Sequence, residues 1–266
     1  MDWTLIAALI ALGCLAGFLA GLLGIGGGMM MVPLLTLAFV HQGFAPHRVV
    51  HMAIATAIGV TVLTSLSSVR VHHAHGSVLW PLWRILVPGI VVGSFLGPQI
   101  VKGIPSSVLA GIIAVIASLA ATRMLIDRQP KTTRELPGKW GLSGVGVGIG
   151  FLSSMLGAGG AFVSVPFMTW CNVSIRNAVA TSAALGLPIA VAGTIGFVVA
   201  GLREPDLPRY SLGYIYLPAL ITIAIGSVLM APFGASLAHR WPVKKLRRAF
   251  ACMLYVLAVL MVWKVA

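Results

Sequence analysis

Ten apolar runs take up most of this sequence: Trp3–Leu23, Met29–Val40, Val49–Val69, Ile85–Val101, Ser106–Leu125, Gly141–Leu156, Phe162–Cys171, Ala178–Leu202, Tyr214–Leu237 and Leu246–Trp263. Crossing a hydrocarbon layer about 30 Å thick takes roughly 20 helical residues. In lipid the backbone must satisfy its own hydrogen bonds, so every run is expected to be helical. Composition closes the soluble alternative. The 266 residues are 59% hydrophobic and 9% charged, whereas a soluble domain carries about 25% charged residues. That leaves too little polar surface to face water, and a soluble enzyme is set aside. The 18 Lys+Arg against 5 Asp+Glu do not form the basic patch on a polar surface that nucleic-acid binding requires. They sit in short gaps between apolar runs, where they set membrane topology. Cys14, Cys171 and Cys252 are too few and too scattered for a disulfide framework or a zinc site. The first run continues past Leu12-Gly13-Cys14 with no basic segment before it, so it reads as a retained membrane segment.

Met29–Val40 and Phe162–Cys171 are too short to cross alone, and each follows a glycine-rich break. The stretch Gly17-Phe18-Leu19-Ala20-Gly21-Leu22-Leu23-Gly24-Ile25-Gly26-Gly27-Gly28 aligns with Gly150-Phe151-Leu152-Ser153-Ser154-Met155-Leu156-Gly157-Ala158-Gly159-Gly160-Ala161 at an offset of 133 residues. Val32-Pro33 and Val165-Pro166 keep that offset, as do Gly93-Ser94 and Gly226-Ser227. Ala55-Thr56-Ala57 corresponds to Ala180-Thr181-Ser182 with slightly different spacing. The chain therefore reads as two membrane repeats, 1–130 and 138–266, joined by a polar linker at 131–137.

Orientation follows from the cations. The region of the linker carries Arg123, Arg128, Lys131, Arg134 and Lys139, and the approach to the last run carries Arg240, Lys244, Lys245, Arg247 and Arg248. Both belong on the cytoplasmic side. If each glycine-broken pair forms a hairpin that returns to its starting side, Arg70, Arg84 and Arg176 also fall inside. Arg48, Lys102, Arg203, Arg209 and Lys264 fall outside, a division of 13 to 5. Each repeat then contributes one hairpin and three crossings, an odd number. The expected fold is an all-α, polytopic helical bundle of two inverted-topology repeats, with a site where the broken helices meet.

Glycines at membrane depth release the backbone from the helix, which is tolerated only where it is buried in protein or lines a cavity. A helix restarting at Met29 or Phe162 aims free N–H groups and a positive dipole end into that cavity. Gly24, Gly26, Gly27 and Gly28, with Gly157, Gly159 and Gly160, are the expected anion-binding backbone, without any buried Lys or Arg. The alternative is close helix packing through small residues. Thr56, Thr61 and Thr64 share one face of the third run. Thr56 and Thr181, which recur in both repeats, are expected with Ser182 to add hydroxyl donors, and Ser153 and Ser154 carry less weight. The competing role of such hydroxyls is a bond back to the preceding helical turn. Pro33 and Pro166 shape the helices that leave the breaks. No Asp or Glu lies within a span, so His51, near a helix end, is the one protonatable coupling candidate; sodium held by freed carbonyls is equally compatible. His72, His73 and His75 fall on the opposite side from His41, His47 and His51, so no shared metal cage is expected, nor any cofactor. Gly24-x-Gly26 has no βα unit after it, and no nucleophile elbow is present, so no enzyme is expected.

Gly-Leu-Leu-Gly-Ile-Gly-Gly-Gly at 21–28, the Val-Pro-Leu-Leu at 32–35 and the degenerate second copy resemble the sulfite exporter TauE/SafE family, also called the toluene sulfonate uptake permeases. The likeness spans nearly the whole chain. The second motif departs from the fuller pattern, with Ser154 in place of Gly21 and Ala161 in place of Gly28. The resemblance implies a multi-pass transporter of the bacterial inner membrane for sulfite, sulfonates or related organosulfur anions. The residues themselves point to an anion-compatible, broken-helix transporter; taken with the resemblance, the expected function is a secondary transporter of a small anion by alternating access, with protons or sodium as the candidate coupling ions. A passive anion channel and a divalent metal transporter are the alternatives. Its surroundings are the lipid bilayer, with no nucleic-acid partner, and the sequence admits a homodimer.

Overall fold

The computed structural model describes residues 3–23, 28–126 and 135–238, and near the C-terminus 251–252, 255–256, 258–260 and 263. Gly24, Gly26, Gly27, most of the linker, the basic stretch 240–248 and Lys264 lie outside the described residues. Among residues 3–238 the described part forms nine helices: α1 (Trp3–Leu23), α2 (Gly28–His41), α3 (Val49–Ala74), α4 (Trp80–Val101), α5 (Ser106–Ile126), α6 (Lys139–Met155), α7 (Ala161–Trp170), α8 (Ile175–Gly201) and α9 (Leu217–Ala238). Each grows from one apolar run. Among the described residues, α3, α4, α8 and α9 are long and apolar enough to cross a membrane, and α2 and α7 are short. The residues described at 251–263 are helical, where the tenth run was expected.

Several boundaries depart from the apolar runs: α3 continues to Ala74 rather than Val69, and α8 begins at Ile175 rather than Ala178. Helix α4 begins at Trp80 rather than Ile85, because Pro81 occupies its first turn, where a missing N–H costs nothing. The ninth run was expected to be helical from Tyr214, but the helix starts at Leu217. Before it, β1 (Ser211–Leu212) pairs antiparallel with β2 (Ile215–Tyr216) across the two-residue turn Gly213-Tyr214, in the register Ser211 to Tyr216. Gly213 has φ +55°, a conformation a side chain resists, and this turn ends the helical run.

Glycines set which helices touch. Helix α1 lies on α9 with Gly13 at Ile223, Gly17 at Ser227 and Gly21 at Ala231, so the two run parallel. A Cβ on Gly17 would sit 2.2 Å from the Ser227 carbonyl oxygen, closer than any side chain permits. Helix α4 lies on α6 in the same manner, with Gly93 at Val147 and Gly150 at Ile90. This is small-residue packing of membrane helices, where backbones approach because no side chain separates them. Helix α3 packs against α8 at the centre, and α2 and α7 pack on α3 and α8 respectively. The buried core is continuous across both sequence repeats. It is most complete around α3, whose apolar window is 83% buried against 39% for α9.

Contacts at the helix ends fix two opposite faces. At one, Arg48 pairs with Glu204, Ser106 donates to the His47 carbonyl at 2.8 Å, and Phe39 packs edge-on against Tyr216. Both ends of the first broken pair therefore reach this face: α1 starts beside the start of α9, and α2 ends there. At the other face, Leu79 meets Thr181, and α6 starts beside the start of α4.

Candidate functional site

The second break folds for stated local reasons. Helix α6 ends in a Schellman arrangement, with Gly157 N–H donating to the Ser154 carbonyl at 3.2 Å and Ala158 N–H to the Ser153 carbonyl at 2.9 Å. Gly157 supplies the left-handed residue, at φ +64°. Gly160, at φ +86°, is the N-cap of α7, and its carbonyl accepts from Ser164 N–H at 2.9 Å. Between two such residues the chain reverses inside the bundle. Helix α7 then presents its first N–H groups at the break.

A Cβ on Gly28 would lie 1.8 Å from the Gly157 carbonyl oxygen, so the start of α2 rests directly on the second break. Pro33 and Pro166 are each the sixth residue of their helix. Each removes the N–H that would bond the carbonyl one turn earlier, at Met29 and Phe162.

Beside the second break, Thr64, Ser65 and Ser68 of α3, Gly159, Ala183 and Gly186 of α8, and Ala20 of α1 line a cavity with room for about one water molecule. The point where Gly186 would carry a Cβ is 2.9 Å from Ser65 Oγ and 3.4 Å from the Gly159 carbonyl oxygen. Ser68 Oγ is buried and has no hydrogen-bond partner among the described residues. Ser153 Oγ, close to Gly160, is in the same state. Ser164 and Ser182 share a 2.6 Å hydrogen bond, and Thr64 shares one of 2.5 Å with Ser227 while donating to Val60 O at 3.1 Å. Among the described residues, no charged side chain lines the cavity. The arrangement offers hydroxyls and a helix N-terminus, groups able to hold an oxyanion without a cation.

The residues expected from sequence divide into groups. Gly28, Gly157, Gly159 and Gly160 come together, and Ser182 reaches α7 through Ser164. Thr56 and Thr181 do something else with their hydroxyls. Thr56 Oγ1 accepts from the Tyr216 N–H at 3.1 Å, just ahead of α9, and Thr181 Oγ1 accepts from the Leu79 N–H at 2.9 Å, the N-cap of α4. Each repeat thus holds the start of the fourth helix of the other. Thr61 bonds back to Ala57 O at 2.9 Å, and Ser154 donates to Phe151 O at 3.1 Å. His51 is fully buried at the opposite end of α3 from His72. The Val101 carbonyl, 3.0 Å from Nε2, fixes a proton there, and Nδ1 faces Ser106 Oγ at 3.3 Å. Among the described residues, no three His, Cys, Asp or Glu converge as a metal site would need.

Ser65 and Ser68 escaped the sequence reading, which followed hydroxyls present in both repeats. Their signal lay in the reverse. At the 125-residue offset between Thr56 and Thr181, the counterparts of Thr64, Ser65 and Ser68 are Ile189, Ala190 and Gly193.

The profile of the sulfite exporter TauE/SafE family matches residues 9–261. A protein of Haemophilus influenzae, named as a probable membrane transporter, is 35% identical over 98% of this chain and all of its own length. A Bacillus subtilis protein of the same description, YdhB, is 28% identical over 88% of this chain and 91% of its own length. One from Methanocaldococcus jannaschii is 26% identical, covering 97% and 95%. No solved structure gives a significant match.

Proposed function

The chain belongs to the sulfite exporter TauE/SafE family, and from that premise we propose a secondary transporter that moves sulfite, a sulfonate or a related small oxyanion by alternating access. It is a multi-pass membrane transporter and not an enzyme. The observation that carries the reading is the hydroxyl-lined cavity against the second glycine break, with Gly28 seated on Gly157. Gly159, Gly160 and Gly28 supply backbone N–H groups, joined on the sequence reading by Gly24, Gly26 and Gly27 outside the described residues; Gly157 makes the reversal that aims them, its own N–H being held by the Ser154 carbonyl, and Ser65, Ser68, Ser153 and Ser182 supply hydroxyls. Thr56 and Thr181 hold the helices around them. A space for one water is too small for a sulfonate, so the helices must separate to admit it. That need supports alternating access over an open pore.

The inverted-repeat arrangement, with repeats at 1–130 and 138–266, is part of this proposal. Its support is the exchange of partners, α1 with α9 and α6 with α4, together with broken helix pairs that reach opposite faces. Of the 5 Asp+Glu, none lies within a helix of the described chain, so the coupling ion is a proton at His51 or a sodium ion on backbone and hydroxyl oxygens.

The test is flux in proteoliposomes. Sulfite should accumulate against its own gradient when a proton or sodium gradient is applied; downhill flux alone under every gradient identifies a channel and removes the transporter reading. Gly160→Leu, which adds a side chain to a left-handed residue 2.5 Å from Ile189 Cδ1, should abolish flux while the protein still inserts.

A further inference from the structure

The connection between α8 and α9 is the part of the chain that internal repetition does not account for. The equivalent connection between α3 and α4 spans 75–79, whereas this one spans 202–216. The added length carries Glu204 and the β1–β2 hairpin, and it folds inward. Tyr214 is fully buried, its ring 5.5 Å from His51 and 6.5 Å from Phe197. The Glu204 carboxylate pairs with the Arg48 guanidinium, which precedes α3, and so ties the two repeats together at this face. The two side chains are 25% and 20% exposed, reachable from solution but partly dried. Among the described residues the Tyr214 hydroxyl has no hydrogen-bond partner of good geometry, yet the Arg48 and Glu204 charges both act on it. Burial pushes its phenol up to about 12, so it is a proton donor at physiological pH.

The cavity at the glycine break has no cation, and nothing in it draws an anion out of water. Arg48 is a guanidinium fork at the head of α3, about 25 Å along that helix from Ser65. It is occupied by a carboxylate, whose two oxygens present the same geometry as two oxygens of a sulfite or sulfonate. We propose that Arg48 is the capture residue of the transport cycle: the incoming oxyanion displaces Glu204 from Arg48, takes the Tyr214 hydroxyl as a second donor, and frees the α8–α9 connection to lift from the head of α3. The exchange replaces one anion by another, so the guanidinium is never left uncompensated in a partly dry site. This inference rests on the anion-transport reading.

The experiment uses the full chain in proteoliposomes, with sulfite as the probe and KM and maximal rate measured separately. Wild-type sulfite flux tests the transport reading by itself; without it both ideas fall. Given flux, Glu204→Gln removes the built-in competitor and should lower KM severalfold, whereas Arg48→Gln should raise it about tenfold or more, with Arg48→Lys between. Tyr214→Phe keeps the buried ring and should raise KM with the maximal rate retained. A mere clamp between the repeats predicts that Arg48→Gln and Glu204→Gln move KM in the same direction, and that result overturns the proposal. If Arg48→Gln does not fold, Glu204→Gln and Tyr214→Phe decide it: capture requires opposite shifts in KM, and equal or absent shifts overturn it.

Discussion

Two kinds of hydroxyl meet in the interior, and they predict opposite phenotypes. Thr56 and Thr181, both buried, accept from the partly buried Tyr216 and Leu79 N–H groups near the two faces of the bundle. Thr56→Val and Thr181→Val each strand a backbone donor and should cost about 1–3 kcal/mol of stability, read as thermal unfolding in detergent. Ser68 Oγ bonds to nothing in this arrangement. Ser68→Ala should leave the unfolding temperature unchanged or raised, while weakening sulfite flux severalfold; a flux equal to wild type would remove Ser68 from the transport path. The sequence singled out the threonines because they recur, and in the structure each of these hydroxyls holds a backbone N–H. Recurrence marks what the repeated architecture needs. Ser65 and Ser68 have no hydroxyl counterpart in the second repeat, so a search for symmetry passed over them.

At the scale of the element, glycines divide by what faces them. Gly17 on α1 and Gly150 on α6 are counterparts, and a Cβ on either would meet backbone, the Ser227 carbonyl oxygen at 2.2 Å and the Ile90 carbonyl oxygen at 2.3 Å. Gly17→Ala and Gly150→Ala should each destabilise by about 1–3 kcal/mol as the paired helices are forced apart. Gly111 on α5 has nothing within 4 Å, so Gly111→Ala should be neutral or stabilise by up to about 1 kcal/mol. Thermal unfolding of the three variants checks the contrast. Helix positions were legible because apolar runs in lipid have few alternatives to the helix. The first turn of α4 and the β1–β2 hairpin were not. Arg84 hid the one behind a break in apolarity, and the other depends on Gly213 at φ +55° within an otherwise apolar run. Which of the many glycines reverse the chain and which admit a neighbouring helix was also hidden, since both uses select the same residue.

For the whole molecule, the exchange of partners means that neither repeat carries its own complement of contacts. Residues 1–130 expressed alone lack α9 beneath the glycines of α1, and residues 138–266 lack α4 beneath those of α6. Each fragment alone should be degraded or aggregate, while the two co-expressed should insert and purify together. Recovery of either as a folded monomer would contradict the interlocked core. The internal alignment at an offset of 133 residues divides the sequence into two copies. It did not foretell that their first helices would change places, because pairing across repeats leaves no mark on an apolar run beyond the small residues that any close contact would use.

That exchange also imposes an order on biosynthesis. Helix α6 emerges after α4 and can dock at once. Helix α1 has no such partner waiting, since Ile223 follows Gly13 by 210 residues. At a synthesis rate of roughly 5–20 residues per second, the glycine face of α1 spends about 10–40 s without α9. During that interval its small-residue stripe is open to any helix nearby, including α1 of a neighbouring nascent chain. The small-residue face of α1 has to be kept from wrong partners until α9 has been made.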